Sequence, residues 1–523
     1  MTEAPPTAAG SSPSGWRGRV AFGPPERPVA FRPGQVLVAE EPAGWSAVDG
    51  TTVQDRLRQW REGSAEHEGD GTGESLLRLY PDWSVQDTNL PGFTKLEIDN
   101  PDRLPGATDA ALDRVRRQTL RLIDELKALG LRAQPNHVFF ADQGGVTGNP
   151  YAGNPYAGNP YAGNPYAGNP YAGNPYAGNP YAGNPYAGNP YAGNPYAGNP
   201  YAGNPRMALG WPTELDQETG IRPSSAQPRP SDDADGPAPR VLVLDTGLPA
   251  DPARLGLATQ TLQGMTPAFT EPRGRSGSQI TVSDLLSPAG APYDVKDRNQ
   301  DGVLDPASGH GAFIAAIIAR IAPQAQITVV RVLGQLGDGD EQTVSEVLHR
   351  LAGQFDLINL SFGTYTPENA EAIADAVRTV QRGGKLAPGT TEPKPAVVVA
   401  SAGNDATWTA PVPASLPDVV SVAALDWHEQ GPAPFSNYGP WVSACAPGTD
   451  IQGGFWKWGD GERLWPGKAS WSGTSFAAPY VVGALARTMQ AIGEQDPNIA
   501  VQRLLHEPAL LRIPFHGTVV RGF

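Results

Sequence analysis

The sequence predicts an α/β fold: a mostly parallel sheet with helices on both faces, preceded by a small α+β domain and a low-complexity linker. Three observations lead to this prediction. After residue 240, short apolar runs alternate with longer amphipathic segments, the pattern of parallel strands joined by crossover helices. Between residues 29 and 142, shorter segments follow the order β-α-β-β-α-β, which is typical of a split βαβ domain. A pentapeptide that repeats without one substitution separates the two regions.

The region 240–523 is long enough to bury one large core. Its predicted strands lie at 241–244, 327–332, 357–360, 396–400 and 419–423. Its predicted helices lie at 310–321, 343–351, 367–381 and 474–492. Strand ends and helix starts meet at one rim of such a sheet, and active sites form there. Reactive side chains at the ends of these segments are therefore candidates for an active site.

The smaller domain, 29–142, follows a tail at 1–28 that is rich in Pro, Gly and Ser and is predicted to be disordered. Its predicted strands lie at 35–39, 75–79, 93–98 and 136–141, and its predicted helices lie at 51–61 and 109–129. The second helix is the clearest element, because its apolar residues recur every three or four positions and Gly130 follows it.

The linker, 143–239, contains the pentapeptide GNPYA eleven times in succession, from Gly148 to Ala202. A period of five residues is too short for a solenoid, whose repeats run from about 20 to 50 residues. Each unit offers only one Tyr and one Ala for burial, so apolar burial would not compensate for the conformational entropy that is lost when the chain is ordered. The array is interpreted as a spacer, and a tyrosine array that binds a partner is the alternative.

Composition and charge exclude several classes of function. The net charge is −15 and no basic cluster is present, which argues against nucleic acid as a partner. No apolar run is long enough for a transmembrane helix, and the N-terminus lacks the apolar core of a signal peptide. The expected location is the cytoplasm, or export by a route that needs no signal peptide. The single cysteine excludes an internal disulfide framework.

Three reactive side chains fall at the predicted rim. Asp245 follows the apolar strand VLVL, His310 opens a helix within GHG, and Ser475 opens another within SGTSFAAP. A serine hydroxyl is a weak nucleophile that needs an adjacent base, and the base needs an orienting carboxylate. Each segment alone is a weak signal. Together, the chain order Asp, His, Ser on an α/β alternation predicts a catalytic triad, and it differs from the Ser, Asp, His order of α/β-hydrolases.

The segments VLVLDTG, GHGAFIAAII, NLSFG, VASAGND and SWSGTSFAAPYVVGALA resemble the characteristic blocks of the subtilase family over about residues 240–510. The resemblance implies that Asp245 orients His310, that His310 acts as general base and then general acid, and that Ser475 attacks the peptide carbonyl. The family usually has GHGTH around the histidine. This chain has Ala312 and Phe313 instead, neither of them a triad residue.

The same resemblance implies substrate contacts. Asn404 and the Ser475 backbone N–H would hold the oxyanion, and Ser361, Phe362 and Gly363 would pair with an extended substrate by β-augmentation. Asp405, which follows Asn404, would border the pocket for the substrate side chain before the scissile bond. The predicted preference is mild, toward basic or large apolar side chains.

The domain 29–142 resembles the propeptide that many subtilases carry as a folding aid and inhibitor. Its start, FRPGQVLVA, and its end, AQPNHVFFA, carry this resemblance together with its position. A propeptide is normally joined directly to the catalytic domain, whereas a long linker intervenes here. An unrelated small binding domain is the alternative.

No cofactor is required by this chemistry, and a structural calcium ion is one interpretation of a loop just before His310. Oxygen-bearing side chains stand at positions 1, 3, 5 and 9 of the segment DRNQDGVLD, with Gly at position 6. The corresponding residues are Asp297, Asn299, Asp301 and Asp305. Position 12 is Ser308 rather than a bidentate Glu, so a plain Asp/Asn turn is the alternative.

The sequence therefore predicts a serine endopeptidase that acts on protein or peptide substrates and is restrained by its own N-terminal domain, with no nucleic-acid or membrane partner. One alternative is a catalytically silent relative that binds partners through the Tyr-rich repeat. Another is a serine esterase or transpeptidase that uses the same acyl-enzyme chemistry. Comparing the hydrolysis of casein with that of a simple ester separates the endopeptidase from the esterase.

Overall fold

The computed structural model of the chain describes residues 19–40, 53, 57, 82–141, 213–214, 237–249, 258–260, 268–270, 279–283, 293–297, 304–384, 394–459 and 464–521, with gaps of one or two residues inside these ranges. The GNPYA array, the predicted strand at 75–79 and, apart from Val53 and Leu57, the predicted helix at 51–61 lie outside the described residues. The predicted tail lies outside them up to residue 18.

The chain forms two compact units that do not follow its linear order. The first consists of Met1–Phe139, Gly339–Ala352 and Thr364–Gly384, and the second of Phe140–Asp338, Gly353–Gly363 and Lys385–Phe523. Two segments that the sequence assigns to the large α/β domain are thus grouped with the N-terminal residues.

In chain order the strands are β1 (Ala21–Phe22), β2 (Ala30–Ala39), β3 (Trp83–Gln86), β4 (Phe93–Ile98), β5 (Arg132–Ala141), β6 (Thr213–Glu214), β7 (Arg240–Asp245), β8 (Leu248–Pro249), β9 (Ala258–Gln260), β10 (Ala268–Thr270), β11 (Gln279–Ser283), β12 (Tyr293–Asp294), β13 (Gln326–Arg331), β14 (Asp338–Asp340), β15 (Leu357–Leu360), β16 (Phe362–Gly363), β17 (Val397–Ser401), β18 (Val420–Leu425), β19 (Ala444–Pro447), β20 (Ile451–Gly459), β21 (Leu464–Trp471), β22 (Arg512–Ile513) and β23 (Gly517–Val519). The α-helices are α1 (Asp109–Ala128), α2 (His310–Ile321), α3 (Glu341–Leu351), α4 (Glu371–Gln381), α5 (Thr474–Ile492) and α6 (Pro497–Val501).

The first unit is built on an antiparallel sheet in the order β5-β2-β4-β3, with β1 beside β2. Strand β2 is apolar on both faces because both faces are covered. Val36 and Val38 point into the core formed with helix α1, whereas Leu37 and Ala39 pack with Ala372 of helix α4. This alternation explains why β2 appears as a continuous apolar run in the sequence.

The second unit is built on a large sheet in the order β22-β23-β19-β18-β17-β15-β7-β13-β11-β10-β9. Its central strands pair in parallel, so that Val243 of β7 lies between Asn359 of β15 and Val329 of β13. Helices α2 and α5 pack into its main core. The predicted α/β fold with a mostly parallel sheet is confirmed.

The close approach of α2 and α5 depends on a glycine. A Cβ atom placed on Gly483 of α5 would lie 2.8 Å from Cβ of Ile321 at the end of α2. The backbone of α5 therefore packs directly against the Ile321 side chain at this point. His310 lies at the other end of α2, and Ser475 lies in the first turn of α5.

Among the described residues, no helix combines the length and apolar character needed to span a bilayer.

Candidate active site

Three chain segments bring the predicted triad residues to one edge of the large sheet. Asp245 is the last residue of β7, His310 is the first residue of α2, and Ser475 is the second residue of α5. All three are buried, with exposed fractions of 0%, 1% and 0%. The carboxyl end of a parallel strand and the start of a helix are the positions at which α/β folds place reactive groups.

Asp245 and His310 are joined by a buried hydrogen bond, since His310 Nδ1 lies 2.8 Å from Asp245 Oδ1. The Thr246 backbone N–H donates to the same oxygen at 2.7 Å, which fixes the carboxylate. His310 Nε2 is buried and has no hydrogen-bond partner among the described residues, so its bond to Ser475 is not formed. The Ser475 hydroxyl instead donates to the Ser361 carbonyl over a long 3.4 Å.

Aromatic side chains surround His310. The rings of Trp471 and Phe476 both have their centres 5.4 Å from the imidazole, and Phe313 packs against both rings. Phe313 is one of the two departures from the usual family motif, and here it belongs to this apolar wall. Such a wall lowers the local dielectric constant and strengthens the electrostatic interactions within the site.

Asn404 is held by Thr474, the first residue of α5. Its Oδ1 accepts hydrogen bonds from the Thr474 backbone N–H at 2.8 Å and from the Thr474 hydroxyl at 3.0 Å. The Gly403 N–H donates to the same hydroxyl at 3.0 Å. Because the oxygen end of the amide is anchored on Thr474, the Nδ2 end points away from it. Apart from its place in the GTS motif, nothing in the sequence points to this role of Thr474.

Ser361 connects the substrate edge to the start of α5. Its hydroxyl accepts from Asn359 Nδ2 at 2.9 Å and donates to the Ser475 carbonyl, also at 2.9 Å. Phe362 and Gly363 form strand β16, directly after it. The predicted substrate edge thus lies next to the predicted nucleophile.

Strand β16 is already paired. Phe362 and Gly363 pair antiparallel with Ala141 and Phe140, the last two residues of β5. The Ala141 N–H donates to the Gly337 carbonyl at 2.7 Å. Phe140 and Ala141 therefore lie in extended conformation on the edge that the sequence assigns to substrate.

The remaining predicted residues lie near the site or only partly within the described chain. Asp405 is partly buried beside Asn404, and its N–H donates to Asn437 Oδ1 at 3.0 Å. Of the calcium-loop residues, Asp297 and Asp305 are described, while Asn299 and Asp301 lie outside the described residues. In the part of the chain that the structure describes, no group of three or more His, Cys, Asp or Glu side chains is arranged to hold a metal ion. Calcium binding at this loop stays a prediction.

The sequence reasoning did not identify Asp294, a buried carboxyl close to the triad. Burial raises its pKa to about 8 from an ordinary value of 3.8, against the opposing effects of a hydrogen bond from the Gly309 N–H and the charge of Arg331. Nothing in the sequence distinguishes Asp294 from the other acidic residues of its polar surroundings.

Comparison with known proteins identifies the family of the chain. The profile of the peptidase S8 subtilase family matches residues 236–512, which is more than half of the chain. The thermophilic serine proteinase of Bacillus sp. strain AK1 is 31% identical over 266 residues, which cover 46% of this chain and 59% of that protein. Subtilisin Savinase of Lederbergia lenta is 29% identical over 241 residues, which cover 42% of this chain and 79% of that protein.

Among solved structures, the protease domain of PatA is matched over 56% of this chain and 95% of its own length, at 24% identity and a TM-score of 0.39. The chain spans 59% of the length of the thermophilic proteinase and 56% of the alkaline protease of Alkalihalobacillus alcalophilus. The profile match includes the ends of β7, α2 and α5 and the loop that carries Asn404. On this match, the chain belongs to the subtilase family.

Proposed function

We propose that the chain is a serine endopeptidase in which Ser475 is the nucleophile, His310 the general base and acid, and Asp245 the residue that orients His310. The observation that carries the proposal is the buried hydrogen bond of 2.8 Å between His310 and Asp245, with Ser475 at the adjoining helix start. This bond selects the tautomer with the proton on Nδ1, which leaves Nε2 free to accept a proton.

The reaction follows from that tautomer. Ser475 Oγ attacks the peptide carbonyl carbon while its proton passes to His310 Nε2, and the carbonyl oxygen becomes an oxyanion. The imidazolium then gives the proton to the leaving amine as the C–N bond breaks. A water molecule, deprotonated by the same His310, hydrolyses the acyl-enzyme and restores the Ser475 hydroxyl.

Asn404 Nδ2 and the Ser475 backbone N–H are proposed to hold the oxyanion. The anchoring of Asn404 Oδ1 on Thr474 favours this role, because it fixes the amide with Nδ2, its hydrogen-bond donor, turned away from Thr474. The Ser475 N–H lies in the first turn of α5, where backbone N–H groups have no acceptor within the helix.

The missing hydrogen bond between His310 and Ser475 is compatible with this proposal. The hydrogen bond from the Ser475 hydroxyl to the Ser361 carbonyl is long, at 3.4 Å, and a rotation about χ1 redirects the hydroxyl. Catalytic hydrogen bonds in free enzymes are often long and shorten when substrate binds.

Residues 29–142 are proposed to restrain the peptidase, with the linker 143–239 as a spacer. One observation that supports this is the pairing of Phe140 and Ala141 with strand β16, because a bound substrate would need the same edge. A segment of the chain's own N-terminal region would thus compete with substrate.

Contacts inside the first unit provide further support. His137 Nδ1 and Gln134 Nε2 lie 2.5 Å and 2.8 Å from the same oxygen of Glu341 in helix α3, and both His137 and Glu341 are buried. Arg27 and Lys127 both form ion pairs with Glu368, which precedes helix α4. The N-terminal residues are therefore held on two helices that the linear sequence assigns to the peptidase region.

The ionisation of the Glu368 carboxyl is coupled to these contacts. Burial raises the pKa of the Glu368 carboxyl, but the hydrogen bonds and charges of Lys127 and Arg27 together lower it by more, so the net shift is downward. A lowered pKa means that the ionised form is favoured when the ion pairs are made. The attachment is then complete above the ordinary pKa of a Glu side chain and weakens as the pH falls through the lowered value.

Catalysis and restraint are tested separately. A fluorophosphonate probe should label the chain at Ser475, as located by mass spectrometry of the digested protein, and casein should be cleaved with a clear excess over a simple ester. Labelling at another serine would contradict the triad, and ester hydrolysis without casein cleavage would contradict the endopeptidase.

For the restraint, Glu368→Lys should raise the turnover of a small peptide by about 5- to 30-fold, since losing about 1–2 kcal/mol of docking shifts the docked fraction by that factor. Lys127→Glu in the same chain should reverse much of the increase. The matched control is Glu507→Lys, which breaks the exposed Arg503–Glu507 pair and should leave turnover unchanged. Unchanged turnover in Glu368→Lys would contradict the restraint.

A further inference from the structure

The start of helix α2 lacks a side chain of its own to cap it. Its N-cap residue is Gly309, in the left-handed conformation at φ 86°, and no side-chain cap hydrogen bond is made there. The first N–H groups of a helix need acceptors from elsewhere. His310 is the first residue of this helix, so whatever supplies those acceptors also fixes the backbone of His310.

The Ala307 carbonyl accepts from the His310 N–H at 3.1 Å, and two residues remote in the sequence accept from the N–H groups on either side of it. Asp294 Oδ2 accepts from the Gly309 N–H at 2.6 Å, and the Thr246 hydroxyl accepts from the Gly311 N–H at 3.0 Å. The residues on both sides of His310 are therefore held by their backbone N–H groups.

Asp294 and Thr246 are also joined to each other and to Asp245. The Thr246 hydroxyl donates to Asp294 Oδ2 at 3.3 Å, so one carboxyl oxygen serves both segments. The Thr246 N–H donates to Asp245 Oδ1, which is the oxygen that contacts His310. A continuous chain of hydrogen bonds thus runs from Asp294 through Thr246 to both partners of the Asp–His pair.

Asp294 itself is rigidly placed. It ends strand β12, where it pairs in parallel with Pro249 of β8, and only 3% of it is exposed. Its second oxygen, Oδ1, is buried and makes no hydrogen bond to any residue that the structure describes. Neither the proposed reaction nor the predicted calcium loop uses this carboxyl.

We propose that Asp294 is a positioning residue that sets the orientation of His310 by holding the start of helix α2 and Thr246 on one carboxyl oxygen. The inference rests on the proposed triad. The function of Asp294 is to accept hydrogen bonds, and it takes part in no proton transfer with substrate.

The protonation state fits this function. Burial raises the pKa of the Asp294 carboxyl to about 8, against the hydrogen bonds from the backbone of Gly309 and Val295 and the charge of Arg331, so the neutral form is favoured below that pH. The neutral carboxyl keeps Oδ2 as the acceptor for the Gly309 N–H and the Thr246 hydroxyl.

The test compares two substitutions of similar size in the full chain. Asp294→Asn keeps an oxygen that accepts from Gly309 and Thr246, whereas Asp294→Leu removes this acceptor and both hydrogen bonds. Asn should keep kcat within a few-fold of wild type. Leu should lower kcat by about 10²-fold with little change in KM, the loss expected when a catalytic group is displaced by about 1 Å.

Rates are expressed per active site, titrated with a fluorophosphonate, so that a smaller folded fraction is not counted as slower chemistry. The acidic limb of the pH profile of kcat/KM should move in Asp294→Leu and not in Asp294→Asn, since only Asp294→Leu releases the backbone beside His310 and so changes the geometry of its hydrogen bond to Asp245. An Asn variant as slow as Leu, or a Leu variant with wild-type kcat per titrated site, would overturn the proposal.

A second pair of variants serves if Asp294→Leu does not fold. Thr246→Val removes the bridging hydroxyl at nearly constant volume, and Thr246→Ser keeps it. Val should lower kcat while Ser restores it, and equal rates for Val and Ser would overturn the proposal. Ser475→Ala is assayed in the same series. If that variant stays active, the triad fails, whereas failure of the Asp294 proposal leaves Ser475→Ala inactive.

Discussion

The contact between helices α2 and α5 gives a prediction that joins packing to catalysis. Gly483→Ala would place a Cβ atom 2.8 Å from Ile321 Cβ and 3.0 Å from Ile321 Cγ2. Carbon atoms prefer separations of about 3.5–4.0 Å, so the helices must part by roughly 0.7–1.2 Å. The contacted Cβ atom belongs to the stiff part of a β-branched side chain, which cannot rotate away.

Two opposing effects decide the stability of this variant. Ala is a better helix former than Gly by about 1 kcal/mol, whereas overpacking a dense core costs about 1–3 kcal/mol. The free energy of unfolding should then fall by up to about 2 kcal/mol. The melting temperature of a domain of this size should fall by up to about 8 °C.

The same displacement should reach the active site, because α2 starts at His310 and the second residue of α5 is Ser475. We expect kcat to fall by about 10- to 100-fold, given that a 1 Å misplacement costs about 10²-fold and that part of it is absorbed along the helices. Thermal unfolding and steady-state kinetics with a small peptide measure the two effects.

The control is Gly106→Ala. A Cβ atom there would meet no other atom within 4 Å, so neither the melting temperature nor kcat should fall. A Gly483→Ala variant that melts higher than wild type and turns over at the wild-type rate would refute the reasoning, since the gain in helix propensity would then be the whole effect.

Three further predictions follow from single features. The folded-state pKa of Asp294, about 8, lies above its ordinary 3.8, so its contribution to stability is complete below about pH 4 and is lost as the pH rises through 8. Relative to wild type, Asp294→Asn should therefore gain unfolding free energy between pH 4 and 8 in denaturant titrations, and a constant difference would contradict the shift. Deleting most of the GNPYA array, 148–202, should change the melting temperature and peptide turnover little, since its units carry few apolar groups, and a shift of more than a few degrees would show that the array packs on a domain. Asp405→Asn should reduce any preference for Arg or Lys before the scissile bond by about fivefold at most, and identical peptide-library profiles at low salt would exclude a role for Asp405.

Much of the large sheet could be predicted from the sequence because its elements satisfy local rules. Strands buried on both faces appear as short apolar runs, and β15 lies at the predicted residues. Helix α2 and helix α5 also begin and end where the sequence indicates, since each has a glycine before it and a proline or glycine soon after it. Asp245 lies at the end of a strand, and His310 and Ser475 lie at the starts of helices. Their positions therefore follow from boundaries that the sequence predicts.

Other features were beyond the sequence because they depend on contacts between distant segments. Helices α3 and α4 were predicted at nearly the observed residues, yet their grouping with the N-terminal unit depends on side chains such as His137 and Gln134. The hairpin of β20 and β21 was not predicted, as its glycines and tryptophans give no regular alternation. The role of Asp294 depends on a hydrogen bond that its carboxyl accepts from Gly309, 15 residues later in the chain. Local propensity carries no information on such a contact.

The most direct measurement of the central claim is the activity of Ser475→Ala beside that of Ser472→Ala. Both serines stand in the same SGTS segment, but the Ser472 hydroxyl accepts from the Asp450 N–H and lies outside the proposed triad. Casein cleavage and fluorophosphonate labelling are followed for each variant, in the wild-type chain and in the Glu368→Lys background that should release restraint. We predict that Ser475→Ala loses labelling and nearly all cleavage, as in subtilisin, where loss of the serine lowers kcat by about 2 × 10⁶-fold, and that Ser472→Ala keeps both. Casein cleavage by Ser475→Ala at the rate of Ser472→Ala would contradict the assignment of Ser475 as the nucleophile.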